Sequence, residues 1–153
     1  MGSTKSQVTN VKRSKNSGSQ KSKSLLNESY QYRGSLKTFP SQQICSLNQN
    51  IIDGAGEFKW PDGRHYFGEF NNGTMNGHGK LIWNDKYGGK ATYKGQFIGN
   101  LFHGYGILKW SNGDTYSGDF HNGIYQGKGE FRWADTSKHY NGEFKNGLMH
   151  GKG

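Results

Sequence analysis

The chain has 153 residues, of which 25 are Gly and 2 Pro, with 30% hydrophobic and 14% aromatic content and a net charge of +9. One domain is the most this length supports, no apolar run approaches the ~18–20 residues of a membrane-spanning helix, and no secretory signal opens the chain. The lone Cys45 excludes an internal disulfide framework and fits a reducing compartment. Hydrophobic content is low for a compact globule, yet 9 Tyr, 9 Phe and 4 Trp are too many for a disordered chain. A flat aromatic repeat is expected rather than two packed layers.

In chain order, residues 1–24 read as a flexible basic arm rich in Ser and Lys, carrying Lys5, Lys12, Arg13, Lys15, Lys21 and Lys23. Such sequence buries too little surface to offset the entropy of ordering it. Residues 1–50 hold eight Lys or Arg against one acid, Glu28, so the excess charge sits there. Residues 25–53 read as a linker or cap whose Leu25, Leu26, Tyr30, Tyr32, Leu36 and Phe39 can pack onto the next unit. Within it, Tyr32-Arg33-Gly34-Ser35-Leu36 has the form of a degenerate repeat unit.

From residue 54 the chain repeats. Tyr66-Phe67-Gly68-Glu69-Phe70 recurs at Tyr93–Phe97, Tyr116–Phe120 and Tyr140–Phe144. A Gly-x-Gly comes after each one, at Gly77/Gly79, Gly104/Gly106, Gly127/Gly129 and Gly151/Gly153. Trp83, Trp110 and Trp133 close the first three. This divides the ribbon into a half unit 54–65, units 66–92, 93–115 and 116–139, and an incomplete unit 140–153. Tyr, Gly and Phe at i, i+2 and i+4 share one face of a strand, as do Gly, Leu and Trp. The opposite face carries Glu69, Gln96, Asp119 and Glu143 with Lys80, Lys109 and Arg132, and reads as wet, its charges pairing across strands. Asn71-Asn72-Gly73, Asn112-Gly113-Asp114 and Asn122-Gly123 read as tight turns. Each unit is thus a hairpin that cannot bury its aromatic face alone. The fold class is all-β: an elongated single-layer antiparallel meander of stacked hairpins, with eight strands at about 4.8 Å making a ribbon of roughly 40 Å, preceded by an irregular basic arm.

The pattern resembles the MORN (membrane occupation and recognition nexus) repeat family over residues 54–153. The nearest matches to its Tyr-x-Gly-x-aromatic and His-Gly-x-Gly pattern are Tyr93–Gly106 and Tyr140–Gly153. Asn76 and Gln126 stand where the family has His, and Asn100 where it has a turn Gly. The resemblance implies a non-catalytic scaffold, in contexts such as ciliary axonemes and radial spokes, membrane-junction and cytoskeletal scaffolds, or lipid-binding appendages of kinases.

No catalytic constellation, metal site or cofactor is expected. Of the six His, His103 and His150 hold equivalent places in different repeats and do not converge. The acids of the wet face lie on an open ribbon without a water-excluding pocket, and no helix comes after the Gly-x-Gly steps, so they do not cradle phosphate. Cys45 reads as a small packed side chain. Met1-Gly2-Ser3-Thr4-Lys5-Ser6 fits the N-myristoylation pattern, making Gly2 a candidate lipidation site. A single acyl chain needs a second signal, which the basic arm supplies. Nucleic acid is disfavoured as a partner, because the charge is confined to the arm and no base-reading fold is evident.

The leading expectation is a scaffold for protein–protein assembly in a cytoskeletal or ciliary axonemal complex. Its partner groove would be lined by Tyr66, Phe70, Trp83, Tyr93, Phe97, Trp110, Tyr116, Phe120, Trp133, Tyr140 and Phe144, and its incomplete last unit is expected to self-associate end to end. The alternative is a peripheral membrane adaptor that binds acidic lipids through the arm and Gly2.

Overall fold

The computed structural model describes residues 8–9, 31–37 and 51–153. Among them, eleven strands form one antiparallel sheet whose spatial order is that of the chain. They are β1 (Val8–Thr9), β2 (Gln31–Lys37), β3 (Ile51–Lys59), β4 (His65–Asn71), β5 (Thr74–Asn84), β6 (Lys90–Ile98), β7 (Leu101–Lys109), β8 (Thr115–His121), β9 (Ile124–Arg132), β10 (His139–Lys145) and β11 (Leu148–His150). A sheet without crossovers is the product of successive hairpins. Ten gaps of about 4.8 Å span roughly 48 Å. The single-layer all-β meander expected from the period-two pattern is the observed fold.

Turn chemistry sets both edges. On one edge the centres are Asn72-Gly73, Gly99-Asn100, Asn122-Gly123 and Asn146-Gly147. Their Asn residues sit at φ of 48°, 70°, 50° and 52°, a left-handed region that Asn enters more readily than most residues. Two successive positive φ values give turns whose twist matches that of the strands they join. On the other edge, Trp60, Asp85 and Trp110 each donate a backbone N–H to the carbonyl four residues on, at 2.9, 2.9 and 3.0 Å. Side chains then tie neighbouring turns together. The Asp85 carboxylate accepts the Ser111 N–H at 2.8 Å and its hydroxyl at 2.7 Å, and Asp114 accepts the Ala134 N–H at 2.8 Å. On the opposite edge the Asn100 side chain accepts the Met75 N–H at 2.8 Å.

The Gly-x-Gly segments, which read as regular strand, contain a bulge. Gly68 faces Gly79 and Phe70 faces Met75, so Glu69 alone on β4 lies opposite Asn76, Gly77 and His78 on β5. The same slip recurs between β8 and β9, where Gly118 faces Gly129 and Phe120 faces Tyr125. Gly127 sits in that bulge at φ 72°, and a Cβ there would lie 2.8 Å from Asp119 Oδ2. Asp119 instead turns onto the bulge and accepts the Lys128 N–H at 3.2 Å. The expected cross-strand pairing of this acid with a cation is therefore corrected: Asp119 seals a bulge, and Arg132 pairs with Glu130 of its own strand at 2.7 Å.

Ahead of residue 54 the sheet continues. β2 pairs with β3 so that Tyr32 faces Phe58 and Gly34 faces Gly56, the partners that Tyr66 and Gly68 meet from the other side. β1 pairs with β2, Val8 facing Arg33 and Thr9 facing Tyr32. A strand thus occurs within the stretch read as an arm and another within the stretch read as a linker. Gly2, Lys5, Lys12, Arg13, Lys15, Lys21, Lys23 and Cys45 lie outside the described residues.

Candidate functional site

The repeat builds an aromatic spine along one face of the sheet. In each unit the Tyr ring lies across two cross-strand glycines, and its hydroxyl donates to the carbonyl three residues on. These bonds are Tyr66 to Glu69 (2.9 Å), Tyr93 to Gln96 (2.9 Å), Tyr116 to Asp119 (2.9 Å) and Tyr140 to Glu143 (3.1 Å). The glycines are needed for this approach: a Cβ on Gly106 would fall 2.5 Å from Cε2 of Tyr93. Each Tyr then meets the Phe of the next unit edge-on, Tyr66–Phe97 and Tyr93–Phe120 at 5.1 Å and Tyr116–Phe144 at 5.0 Å. Edge-to-face rings at this spacing add about 0.5–1.5 kcal/mol beyond the area they bury.

A further set of side chains caps the spine, and sequence reasoning missed it. Phe102 stacks on Tyr93 with centroids 3.8 Å apart and planes 10° apart, and Tyr125 stacks on Tyr116 at 4.0 Å. Met75 holds the same place in the preceding unit, opposite Phe70, and is buried. The signal was present in the sequence: a large apolar residue recurs nine positions after each unit's Tyr, at Met75, Phe102, Tyr125 and Met149.

The eleven rings expected to line a partner groove are thus placed on or beside this spine. Tyr66, Phe70, Tyr93, Phe97, Tyr116, Phe120 and Phe144 are buried, closed over by one another and by the caps. Trp83, Trp110, Trp133 and Tyr140 are half-buried, with Trp83 against Phe102 at 5.9 Å and Trp110 against Phe131 at 5.6 Å. A partner reaches the first seven only by displacing their neighbours. Burial also pushes the phenols of Tyr66 and Tyr93 up to about 12, and raises those of Tyr116 and Tyr125 as well. The ionised ring would lose its water without gaining a counter-charge.

The opposite face is open and is not uniformly wet. One row runs straight across the strands as Glu57, Phe67, Lys80, Lys94, Ile107, Ser117 and Glu130. Phe67 is 38% exposed, Ile107 37% and Tyr105, two residues before Ile107 on β7, 60%. His65 packs on Phe67 with ring centroids 3.9 Å apart and is itself hydrogen-bonded to Glu57 at 2.6 Å. Burial disfavours the charge on Glu57, but hydrogen bonds with Lys59 and His65 outweigh it and hold the carboxyl below its ordinary value. Phe67, His78, Lys80, Lys94, Tyr105 and Ile107 surround a depression of about 560 Å³.

The histidines do not converge on a metal. His103 and His121 pack with ring centroids 5.0 Å apart, but no group of three His, Cys, Asp or Glu side chains at ligand distance occurs among the described residues. Nor, among these residues, is any helix long and apolar enough to cross a membrane.

A family described as MORN repeat matches the chain in five segments, residues 47–63, 66–86, 93–115, 116–138 and 140–153. No curated protein matches it.

Proposed function

The chain belongs to the MORN-repeat family, and from that premise we propose that it is a non-catalytic scaffold that assembles proteins in a cytoskeletal or ciliary complex. The observation that carries this reading is the closed spine. The aromatic residues that could have formed a reactive or ligand-holding cleft pack on one another from unit to unit. What remains for recognition is a firm sheet with its side chains displayed. Units added in line extend such a surface without changing the core.

The test is extraction of cells expressing a C-terminally tagged copy with a non-ionic detergent. Retention in the insoluble cytoskeletal pellet, with cilia the first place to look, is the expected outcome. The Met1-Gly2 motif and the basic residues 1–24 favour a second reading, a peripheral adaptor on acidic membranes. Release into the detergent phase, abolished by Gly2→Ala, would establish that reading instead.

A further inference from the structure

The outer face contains an arrangement that folding alone does not ask for. Lys80 of β5 and Lys94 of β6 are direct cross-strand partners, and like charges set opposite each other destabilise a sheet. Neither lysine takes part in an ion pair among the described residues. The unit of Lys94 is also the one that lacks an acid directly after the strand Gly: Glu69, Asp119 and Glu143 stand there in the other three, Gln96 in this one. The lysine pair is flanked in its own row by two exposed apolar side chains, Phe67 on β4 and Ile107 on β7. The order across the sheet is apolar, cation, cation, apolar, over three strand gaps or roughly 14 Å.

We propose that this depression is a docking site for a short acidic segment of a partner protein, two neighbouring carboxylates flanked by apolar side chains. The carboxylates pair with Lys80 and Lys94 and relieve their repulsion, while Phe67, Tyr105 and Ile107 cover the flanking groups. The row itself argues against a long polyanion. Beyond the apolar residues it meets Glu57 on one side and, past Ser117, Glu130 on the other, acids whose cations Lys59 and Arg132 are already paired with them, so this stretch offers an RNA strand or a broad anionic membrane no unpaired cation beyond the two lysines. A compact segment with about two charges needs none. Exposed apolar side chains beside a cationic pair also suit a peptide that brings both kinds of group.

This inference rests on the scaffold reading and names the chemistry of its partner. The experiment uses the isotope-labelled full chain and follows backbone amides by NMR. The probes are a small set of synthetic peptides carrying an acidic pair flanked by Phe, Leu or Ile, the same peptides with Asn for Asp, phosphatidylserine vesicles, and a single-stranded oligonucleotide. The amide map matters, because the basic residues before position 51 would attract any anion independently of Lys80 and Lys94. The expected result is that acidic peptides shift Phe67, Lys80, Lys94, Tyr105 and Ile107, that the Asn versions do not, and that the Lys80→Gln/Lys94→Gln pair weakens binding roughly tenfold. That double variant should melt no lower than the native chain, because the repulsion is gone. Four results would overturn the proposal: shifts confined to other residues, unchanged affinity in the double variant, stronger competition at these amides by vesicles or oligonucleotide, or a lower melting temperature, which would make the lysines structural. The scaffold reading fails separately, by release in the detergent extraction.

Discussion

The two faces of this sheet are made from alternate residues of the same strands, yet they differ in almost every physical respect. Tyr66 is fully buried while its neighbour Phe67 is 38% exposed. On the spine face, rings meet across unit boundaries at 5.0–5.1 Å and the hydroxyls of Tyr66, Tyr93, Tyr116 and Tyr140 each find a carbonyl. On the outer face, charges pair within a strand, as in Arg132–Glu130, or oppose each other, as in Lys80 and Lys94. One face therefore holds the fold and the other is free to vary. The sequence period of two assigns packing and display to alternate residues.

The sharpest way to break this division is to remove a ring from each face. Tyr93→Ala should cost about 3–5 kcal/mol in urea denaturation, because it uncovers Gly95 and Gly106 and strips Phe97, Phe102 and Phe120 of a neighbour. Tyr105→Ala, on the outer face, should change stability by no more than about 0.5 kcal/mol. Comparable losses from the two variants would mean that the faces share the load.

Alkaline titration comes next in size. Tyr66 and Tyr93 are raised from 10.0 to about 12 in the folded chain. Their neutral forms stabilise the fold fully below pH 10, and that stability is lost as the pH rises from 10 towards 12, where the unfolded chain ionises first. Each tyrosine accounts for about 3 kcal/mol by this shift. The tyrosinate absorbance owed to Tyr66 and Tyr93, isolated as the difference from their Phe variants, should rise together with loss of sheet signal in circular dichroism, whereas its rise with the sheet intact would contradict the burial.

Smaller effects probe the bulge and the lysines. Gly127→Ala should cost about 1–2 kcal/mol, from a left-handed backbone carrying a Cβ and from displacement of Asp119. Gly88→Ala, also at positive φ but with nothing near its would-be Cβ, isolates the backbone share of that cost. Lys80→Gln should leave stability within about 0.5 kcal/mol or raise it slightly; thermal melting at low salt is the sensitive measurement.

Much of this architecture was legible because one physical rule repeats. Tyr-x-Gly-x-Phe fixes the strand period, and the Asn-Gly pairs fix the turns, so the single-layer meander could be read from residues 54–153. The bulges were not legible, because Gly77-x-Gly79 and its equivalents look the same in a straight strand as in a kinked one. Only the register of Gly68 with Gly79 and Phe70 with Met75 separates the two. The caps Phe102 and Tyr125 were missed because they lie just after turns, where the alternation restarts. The outer depression was missed for another reason. Phe67, Lys80, Lys94 and Ile107 lie on four different strands, and only the cross-strand register makes them neighbours.

The spine has a consequence for how the molecule comes apart. Each Tyr touches the Phe of the unit after it, so support passes along a single file. An interior unit is braced on both sides, while among the described residues β11 pairs with β10 alone. Opening should therefore proceed as fraying from the end of the file. Amide hydrogens of β6, β7 and β8 should exchange with solvent slowest, and exchange should quicken step by step through β9 and β10 to β11. An interior break such as Tyr93→Ala should divide that gradient into two shorter ones.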